Sequence, residues 1–268
     1  MRPKWIFVSV IATAVLLASA TSVFANHAWS KYHWEITEAP LSLNLGDNLG
    51  SNWSSYLATA NANWNDLTPA LNNAVVAGAA TGDCSAATGA VEICADAYGA
   101  TGWLGIAGIS VKRGKDGHIT RGYVKLNDSY YDATTPGTGY NTADHRLFVV
   151  CQEVGHIFGL GHQDENFDNA NLDSCMDYTG TMTAAQSTPN AHDAEQLESI
   201  YAHVHGGEKV KGGGGGNNGG GRGKPSGQGV VSSEWGQAIH SDSQGRPDTF
   251  QRELPNGNLE ITHVTWAD

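Results

Sequence analysis

Hydrophobic and polar residues recur along the chain with two periods, which predict its main elements. From Trp53 to Leu67 the apolar residues return every three or four positions, which predicts an amphipathic helix. Two β-rich runs, Ile106–Val111 and Ile119–Leu126, flank an Asp-Gly turn signal at residues 116–117 and predict a β-hairpin. The Gly/Ala-rich stretch between helix and hairpin, which holds the first two cysteines, predicts a loop.

A second helix is predicted with Asn141 or Thr142 as its N-cap. At about 100° per residue its apolar side chains gather on one face, whereas Gln152 and His156 lie on the opposite face. Cys151 falls on the packing face, which favours a disulfide or core role over metal binding. The apolar group comprises Leu147, Val150, Cys151, Val154 and Phe158. The helix therefore has one face for packing and one for chemistry.

The C-terminal part of the chain changes character twice. A third helix is predicted to begin at Pro189 and to close the domain. Residues 207–229 are mostly glycine and predict a flexible linker. In residues 230–268, two strand-like runs flank Asn256-Gly257, a hairpin signal. This cysteine-free tail is too small to fold alone, so we expect it to dock on a surface or to order with a partner.

The first 25 residues have the pattern of a secretory signal peptide, cut after Ala25. Arg2 and Lys4 precede an apolar run, Ile6–Ala18, that is short for a membrane span, and small residues follow at the cleavage positions. An uncleaved membrane anchor is the alternative. We therefore expect a secreted, extracellular protein whose main domain occupies residues 26–206.

The acidity of this domain restricts its partners. The whole chain has a net charge of -12, and residues 26–206 hold 7 Lys and Arg against 20 Asp and Glu. Nucleic acids and anionic lipids both require clustered basic residues. We therefore expect no nucleic-acid partner and, after signal cleavage, no membrane partner, and we expect a monomer.

The four cysteines of an exported chain favour disulfides over free thiols. Three pairings are possible. We favour Cys84 with Cys94, which closes a short loop, and Cys151 with Cys175, which ties the second helix to the segment after it. The other two pairings stay open.

The segment CQEVGHIFGLGH, residues 151–162, carries the strongest chemical signal. Side chains four apart on a helix point the same way, so positions 152 and 156 can hold one ion from one side. Glu153 is then placed to face a water on that ion. The two glycines that follow allow a sharp turn that returns His162 as a third ligand.

This segment resembles the signature of the metzincin clan of zinc endopeptidases, H-E-x-x-H-x-x-G-x-x-H followed by a turn with methionine. The chain reads Q-E-V-G-H-I-F-G-L-G-H, and Ser174–Tyr178 follows as an S-x-M-x-Y turn similar to those of the astacin and serralysin branches. The domain length, the hairpin and the final helix are similar to matrixins. Over residues 28–206 the resemblance implies an α+β fold with a twisted mixed sheet, an active-site helix and a C-terminal helix.

The resemblance further implies a secreted zinc-dependent endopeptidase that hydrolyses peptide bonds with metal-activated water. Glu153 would be the general base, Tyr178 would stabilise the oxyanion, and Met176 would form the floor below the metal. A protein or peptide substrate would lie along the strand of residues 118–128. The expected zinc ligands are His156, His162 and Gln152. No matrixin-type cysteine switch precedes the domain, so any latency has another origin.

Gln152 departs from the family pattern, because an amide oxygen is a weaker zinc donor than an imidazole. His145 lies two turns back on the helix, too far to replace it. The remaining candidates read as surface or helix-end residues: His192, His203 and His205. Three outcomes stay open: Gln152 binds zinc with reduced affinity, metal binds but turnover is poor, or the protein is catalytically impaired and serves as an extracellular binding module. The intact Glu153 favours the first.

The loop of residues 163–169 bunches oxygen donors, as calcium sites do. Its spacing matches no EF-hand. A structural Ca²⁺ ion is therefore one expectation for this loop, and a solvated acidic loop is the alternative that we favour.

Overall fold

A computed structural model describes residues 26–132, 139–180, 182–205 and 234–267. Within these ranges the chain has a mixed α+β fold, as expected, with few helices. The strands are β1 (His33–Trp34), β2 (Asn44–Asn48), β3 (Ala74–Ala77), β4 (Val91–Asp96), β5 (Trp103–Val111), β6 (His118–Asn127), β7 (Gln237–Ser241), β8 (Pro247–Glu253) and β9 (Leu259–Trp266). The α-helices are α1 (Ser54–Leu67), α2 (Ala143–Ile157) and α3 (Ala191–Ile200). The expected signal peptide and glycine linker lie outside the described residues.

The described strands form one mixed sheet in the order β3-β2-β4-β6-β5-β9-β8-β7. Neighbours from β3 to β6 are parallel, and those from β6 to β7 are antiparallel. The short β1 adds a parallel pairing to the start of β6. The antiparallel pairing of β5 with β6 confirms the predicted hairpin. Six strands, β1 to β6, therefore come from the first part of the chain, and the tail extends the same sheet beyond β5.

The tail docks on its own domain rather than forming a separate hairpin unit. Strand β9 pairs with β5 along its whole length, and β8 and β9 form a hairpin around the predicted Asn-Gly turn. Side chains alternate along β9, so one face meets the small cluster of Trp103, Ile106 and Phe250 through Val264. The other face, which includes His263 and Thr265, turns towards α2.

The loop prediction for the Gly/Ala-rich stretch was wrong. The Gly/Ala-rich stretch contains β4, because Val91 and Ile93 are buried and the strand is paired on both sides, with β2 and with β6. This strand, in which Glu92 and Asp96 interrupt the apolar residues, gains its stability from its neighbours rather than from a strong pattern of its own. The strand of residues 118–128, expected to pair with substrate, has partners along both edges. It is an interior strand, and β5 is the strand whose outer edge β9 covers.

The three predicted helices are confirmed, with α1 and α2 in contact and α2 packed on β5 and β6. Thr142 caps α2 by accepting a hydrogen bond from the backbone of His145. At the other end, the Trp34 indole donates to the Ile157 carbonyl at 2.8 Å, and the Tyr201 hydroxyl donates to the next carbonyl, also at 2.8 Å. These two bonds satisfy carbonyls that a helix end leaves without partners. Gly159, at φ +92°, then turns the chain away.

Both favoured disulfides are present: Cys84 with Cys94, and Cys151 with Cys175. The second one ties α2 to the segment that follows it. Two disulfides are consistent with an extracellular protein. No helix in the described ranges is both long and apolar enough to cross a membrane.

Removing either disulfide should lower the free energy of unfolding, more for the longer loop. The pairs are separated by 10 and 24 residues, and loop-closure entropy gives about 2.8 kcal/mol for Cys84–Cys94 and about 3.5 kcal/mol for Cys151–Cys175. Urea unfolding of the two double Cys→Ala variants measures both losses. A Cys151→Ala, Cys175→Ala variant as stable as the wild type would show that this bond does not stabilise the fold.

Candidate metal centre

His156 and His162 lie at the end of α2 and just beyond it, on either side of the turn at Gly159. One ring nitrogen of His156, Nδ1, lies 2.8 Å from the Leu160 carbonyl oxygen. The same nitrogen of His162 lies 3.4 Å from a carboxylate oxygen of Glu165. Metal-binding histidines characteristically engage their second nitrogen in this way, which orients the first nitrogen towards the ion.

A third histidine, His263, reaches the same place from β9 in the tail. Its ring centre lies 4.1 Å from that of His156 and 4.7 Å from that of His162. Ligand atoms of the three side chains lie within 4.8 Å of one another. The Nε2 atom of His263 is 3.2 Å from the Tyr178 hydroxyl, so this ring also has one nitrogen engaged. We call these three residues the active-site histidines, after the active site that the sequence predicts.

The atoms that face the centre of this group have no hydrogen-bond partner within the described structure, although they are buried. They are His156 Nε2, His162 Nε2, His263 Nδ1 and Glu153 Oε2. The last two lie 3.8 Å apart. A buried polar atom without a partner costs about 1–3 kcal/mol, so the three clustered ring nitrogens call for a common partner. Three imidazoles beside a carboxylate are a donor set that suits zinc.

Burial keeps two of the active-site histidines in the form that binds metals. It lowers the pKa of His156 well below the usual value, and the neighbouring His263 and His162 lower it further. Burial is also the main cause of the lowered pKa of His162. Both imidazoles are therefore neutral near pH 7, and a neutral imidazole has the free lone pair that coordination requires.

Thr265, two residues after His263 on β9, contacts two neighbouring side chains of α2, the Gln152 amide and the Glu153 carboxylate. Its hydroxyl lies 2.8 Å from Gln152 Oε1 and 2.6 Å from Glu153 Oε1, as donor to these acceptors. Because a hydroxyl has a single proton, the two oxygens share it. The tail therefore engages the amide at the expected first ligand position and the carboxylate of the expected base.

A glycine in β5 makes room for the Glu153 carboxylate. A Cβ atom at Gly105 would lie 2.6 Å from Glu153 Oε1 and 2.6 Å from a methyl carbon of Val149. Any side chain there would push α2 or its carboxylate away from the sheet. Strand β5 thus leaves room for the Glu153 carboxylate and also pairs with the strand that carries His263.

The turn with Met176 packs against α2 and carries Tyr178 to the active-site histidines. Met176 is fully buried, and its sulfur contacts Gly155 so closely that no Cβ fits there. The turn is tied to α3, since the Ser174 hydroxyl donates to Asp193 at 2.6 Å. The pKa of Tyr178 is raised well above its usual value by burial and then by Asp248, so its hydroxyl keeps its proton and can donate.

A cavity of about 340 Å³ opens beside the active-site histidines. Tyr178 and Thr265 line it, and these two residues also contact His263 and Glu153, respectively. Much of the remaining wall is aromatic or aliphatic. It includes Leu104, Tyr131, Tyr140, Phe148 and Phe167. The cavity has the size of small-molecule or side-chain pockets.

The tail closes the centre towards solvent. Gln152, Glu153, His156 and His263 are each at most 2% exposed. The edge of β5, along which an extended peptide could add as a strand, is already paired with β9.

Three features of the centre were missing from the sequence predictions. They are His263, Thr265 and the docking of the tail that brings both residues to the end of α2. The alternation in LEITHVTW puts His263 and Thr265 on one face of a strand. Nothing in the sequence indicated which strand β9 would join. In the loop of residues 163–169, Asp164 accepts hydrogen bonds from Asn166 and Asn169, so its oxygens serve local turns. The calcium expectation stays a prediction.

No protein-family model matches the chain, and no curated protein is similar to it in sequence.

Proposed function

We propose that the chain is a secreted, zinc-dependent endopeptidase of the metzincin type that its own C-terminal tail holds closed. The observation that carries the proposal is the convergence of His156, His162 and His263, each with a buried ring nitrogen that has no hydrogen-bond partner in the described structure. An unpartnered oxygen of Glu153 lies 3.8 Å from the His263 ring. A divalent cation would take the three imidazole lone pairs and would place a positive charge beside the carboxylate. The strand order and the Met176 turn beside α2 fit the metzincin resemblance.

Each side chain has a role that its contacts support. The active-site histidines would hold zinc in the closed form, and His156, His162 and Gln152 would hold it once the tail has left. The ion would supply Lewis acidity and make bound water acidic enough to react at neutral pH. Glu153, once Thr265 leaves it, is the base that accepts the water proton and passes it to the leaving amine. Tyr178 keeps its hydroxyl proton and donates to negative charge on the substrate oxygen. Once the tail has left, the cavity wall that remains, which includes Tyr178, Phe148 and Phe167, would take an apolar side chain of the substrate.

The tail supplies a ligand and blocks catalysis at the same time. His263 replaces the histidine that is missing at position 152, while Thr265 engages Glu153 and β9 fills the edge of β5. An extended peptide needs that edge for main-chain pairing. When the tail leaves, Thr265 also releases the Gln152 oxygen, which can then serve as a weaker ligand. We therefore propose that the closed form binds zinc tightly and that the open form cleaves peptides.

The second candidate function is a non-catalytic extracellular binding module with a metal-stabilised fold. The pairing of β9 with β5 along its whole length favours it, because a tail that never leaves would make the centre structural. Zinc would then contribute to stability alone. The two candidates differ in whether release of the tail produces cleavage.

Removing zinc should destabilise the full-length protein. For a metal present at about 1,000 times its dissociation constant, the stabilisation is about 4 kcal/mol, which corresponds to about 10 °C in Tm for a domain of this size. Scanning calorimetry with a chelator, then with zinc or calcium added back, measures the effect. Zinc alone should restore Tm, and His162→Ala should lose one equivalent of zinc. A His162→Ala variant with the same zinc content as the wild type would exclude the proposed centre.

A further inference from the structure

A second group of histidines comes together from three distant parts of the chain. His33 lies in β1, His118 begins β6, and His205 follows α3. Ligand atoms of all three lie within 4.8 Å of one another. The Nε2 atom of His205 is 3.0 Å from Nε2 of His118 and 3.4 Å from Nε2 of His33. We call this group the distal histidines.

The 3.4 Å spacing matches that of imidazoles around one ion, and the 3.0 Å spacing is a few tenths of an ångström shorter. Nitrogens bound to zinc at about 2.0–2.1 Å in a tetrahedron are about 3.3–3.4 Å apart. Hydrogen bonding alone does not explain the group. An imidazole Nε2 has either one proton or one lone pair, so Nε2 of His205 can form one good hydrogen bond. If it bonds to His118, Nε2 of His33 has no partner in the group, and the reverse also holds. A cation would take the lone pairs of all three.

The surroundings orient the rings for such a role. His33 Nδ1 lies 2.9 Å from the backbone carbonyl oxygen of Lys31. His118 Nδ1 lies 3.5 Å from the Glu35 carboxylate, which Lys112 also contacts at 3.0 Å. The backbone of His205 is fixed too, since its N–H donates to the Ile36 carbonyl at 2.6 Å. A carbonyl or carboxylate behind the ring is the usual second partner of a metal-binding histidine.

A fourth imidazole is close at hand. The ring centre of His203 lies 4.7 Å from that of His205 and 5.4 Å from that of His33. The sequence had indicated surface or helix-end roles for His203 and His205, whereas the structure gathers both with the distal histidines. A site built from three or four imidazoles selects zinc, copper or nickel over calcium or magnesium.

We propose that the distal histidines bind a second divalent transition-metal ion, with zinc as the expected metal. The position of this ion indicates a structural role. It would join His33 near the start of the domain, His118 in the sheet and His205, the last described residue before residues 206–233. The adjoining Trp34 and the nearby Tyr201 donate to the two carbonyls at the end of α2. The ion would therefore fasten the segments that hold the α2 terminus, beside His156. This site does not depend on the proposed peptidase activity.

Zinc content of full-length variants tests the distal site. We expect two equivalents in the wild type and one in each of His118→Ala and His205→Ala, measured by elemental mass spectrometry after dialysis against limiting zinc. The matched control His192→Ala, outside both histidine groups, should keep two. His118→Ala should still lose its remaining equivalent when His162→Ala is added, which also shows that the variant is folded.

The outcomes separate the two sites. If His118→Ala and His205→Ala both retain every equivalent that the wild type holds, the distal site is excluded. A wild type with one equivalent that disappears in both variants would support the distal site and exclude the active-site histidines. One equivalent that survives in both variants would do the reverse.

Discussion

Replacing His263 with alanine should lower the zinc affinity of the first centre by at least about 100-fold. Loss of a partner outside the coordination shell costs about 10–100-fold, and loss of one of three ligands should cost more. The remaining donors would be His156, His162 and the weaker amide of Gln152. Competition with a chromogenic chelator measures the affinity in the full-length chain.

Thr265→Val is the matched control for this experiment. Thr265 lies on the same face of β9 as His263 and contacts Gln152 and Glu153. It is not a proposed zinc ligand, so the Val variant keeps all the proposed ligands. We expect its zinc affinity to stay within about tenfold of the wild type, the lower end of the loss for a supporting residue. Equal affinities in His263→Ala and wild type would mean that the tail lies over the centre without binding the ion.

Releasing the tail should switch on peptide cleavage. If docking is worth about 3 kcal/mol, about 1% of molecules are open, and release should raise the rate about 100-fold at saturating zinc. The experiment inserts a specific protease site into residues 207–229, cuts it, and follows hydrolysis of an unstructured protein. Phe250→Ala in the uncut chain, which removes a side chain from the small cluster behind β9, should give part of the same gain.

Glu153→Gln serves as the control for the released tail. It should keep zinc, since Glu153 is not a proposed ligand, and it should show no cleavage, since it lacks the base. If the released wild-type chain holds zinc and still cleaves nothing, the endopeptidase proposal is wrong and the binding-module function stands.

The sequence predicted the parts of the fold that depend on local patterns. The apolar periods located α1 and α2 within one or two residues, and the Asp-Gly and Asn-Gly signals located both hairpins. Strand β4 was missed because its stability comes from pairing with β2 and β6 rather than from its own residues. Local patterns carry little information about such neighbours.

The sequence predicted only the part of the site that lies on α2 and in the turn that follows it. The spacing in residues 152–162 predicted that His156 and His162 would come together, and they do. His263 lies about a hundred residues later, beyond the glycine linker, so its arrival depends on which edge β9 joins. Strand β9 joins β5 because the main domain leaves that edge of β5 without another partner strand and because Phe250 packs beside it. Neither feature has a sequence signature.

We propose that three histidines, one of them from the tail, share a zinc ion beside Glu153. Anomalous diffraction from crystals of the full-length protein at the zinc absorption edge tests this arrangement most directly. We expect an anomalous peak at about 2.0–2.1 Å from nitrogens of His156, His162 and His263. A peak bound by His156, His162 and Gln152 with His263 turned away, or no peak beside Glu153, would contradict it.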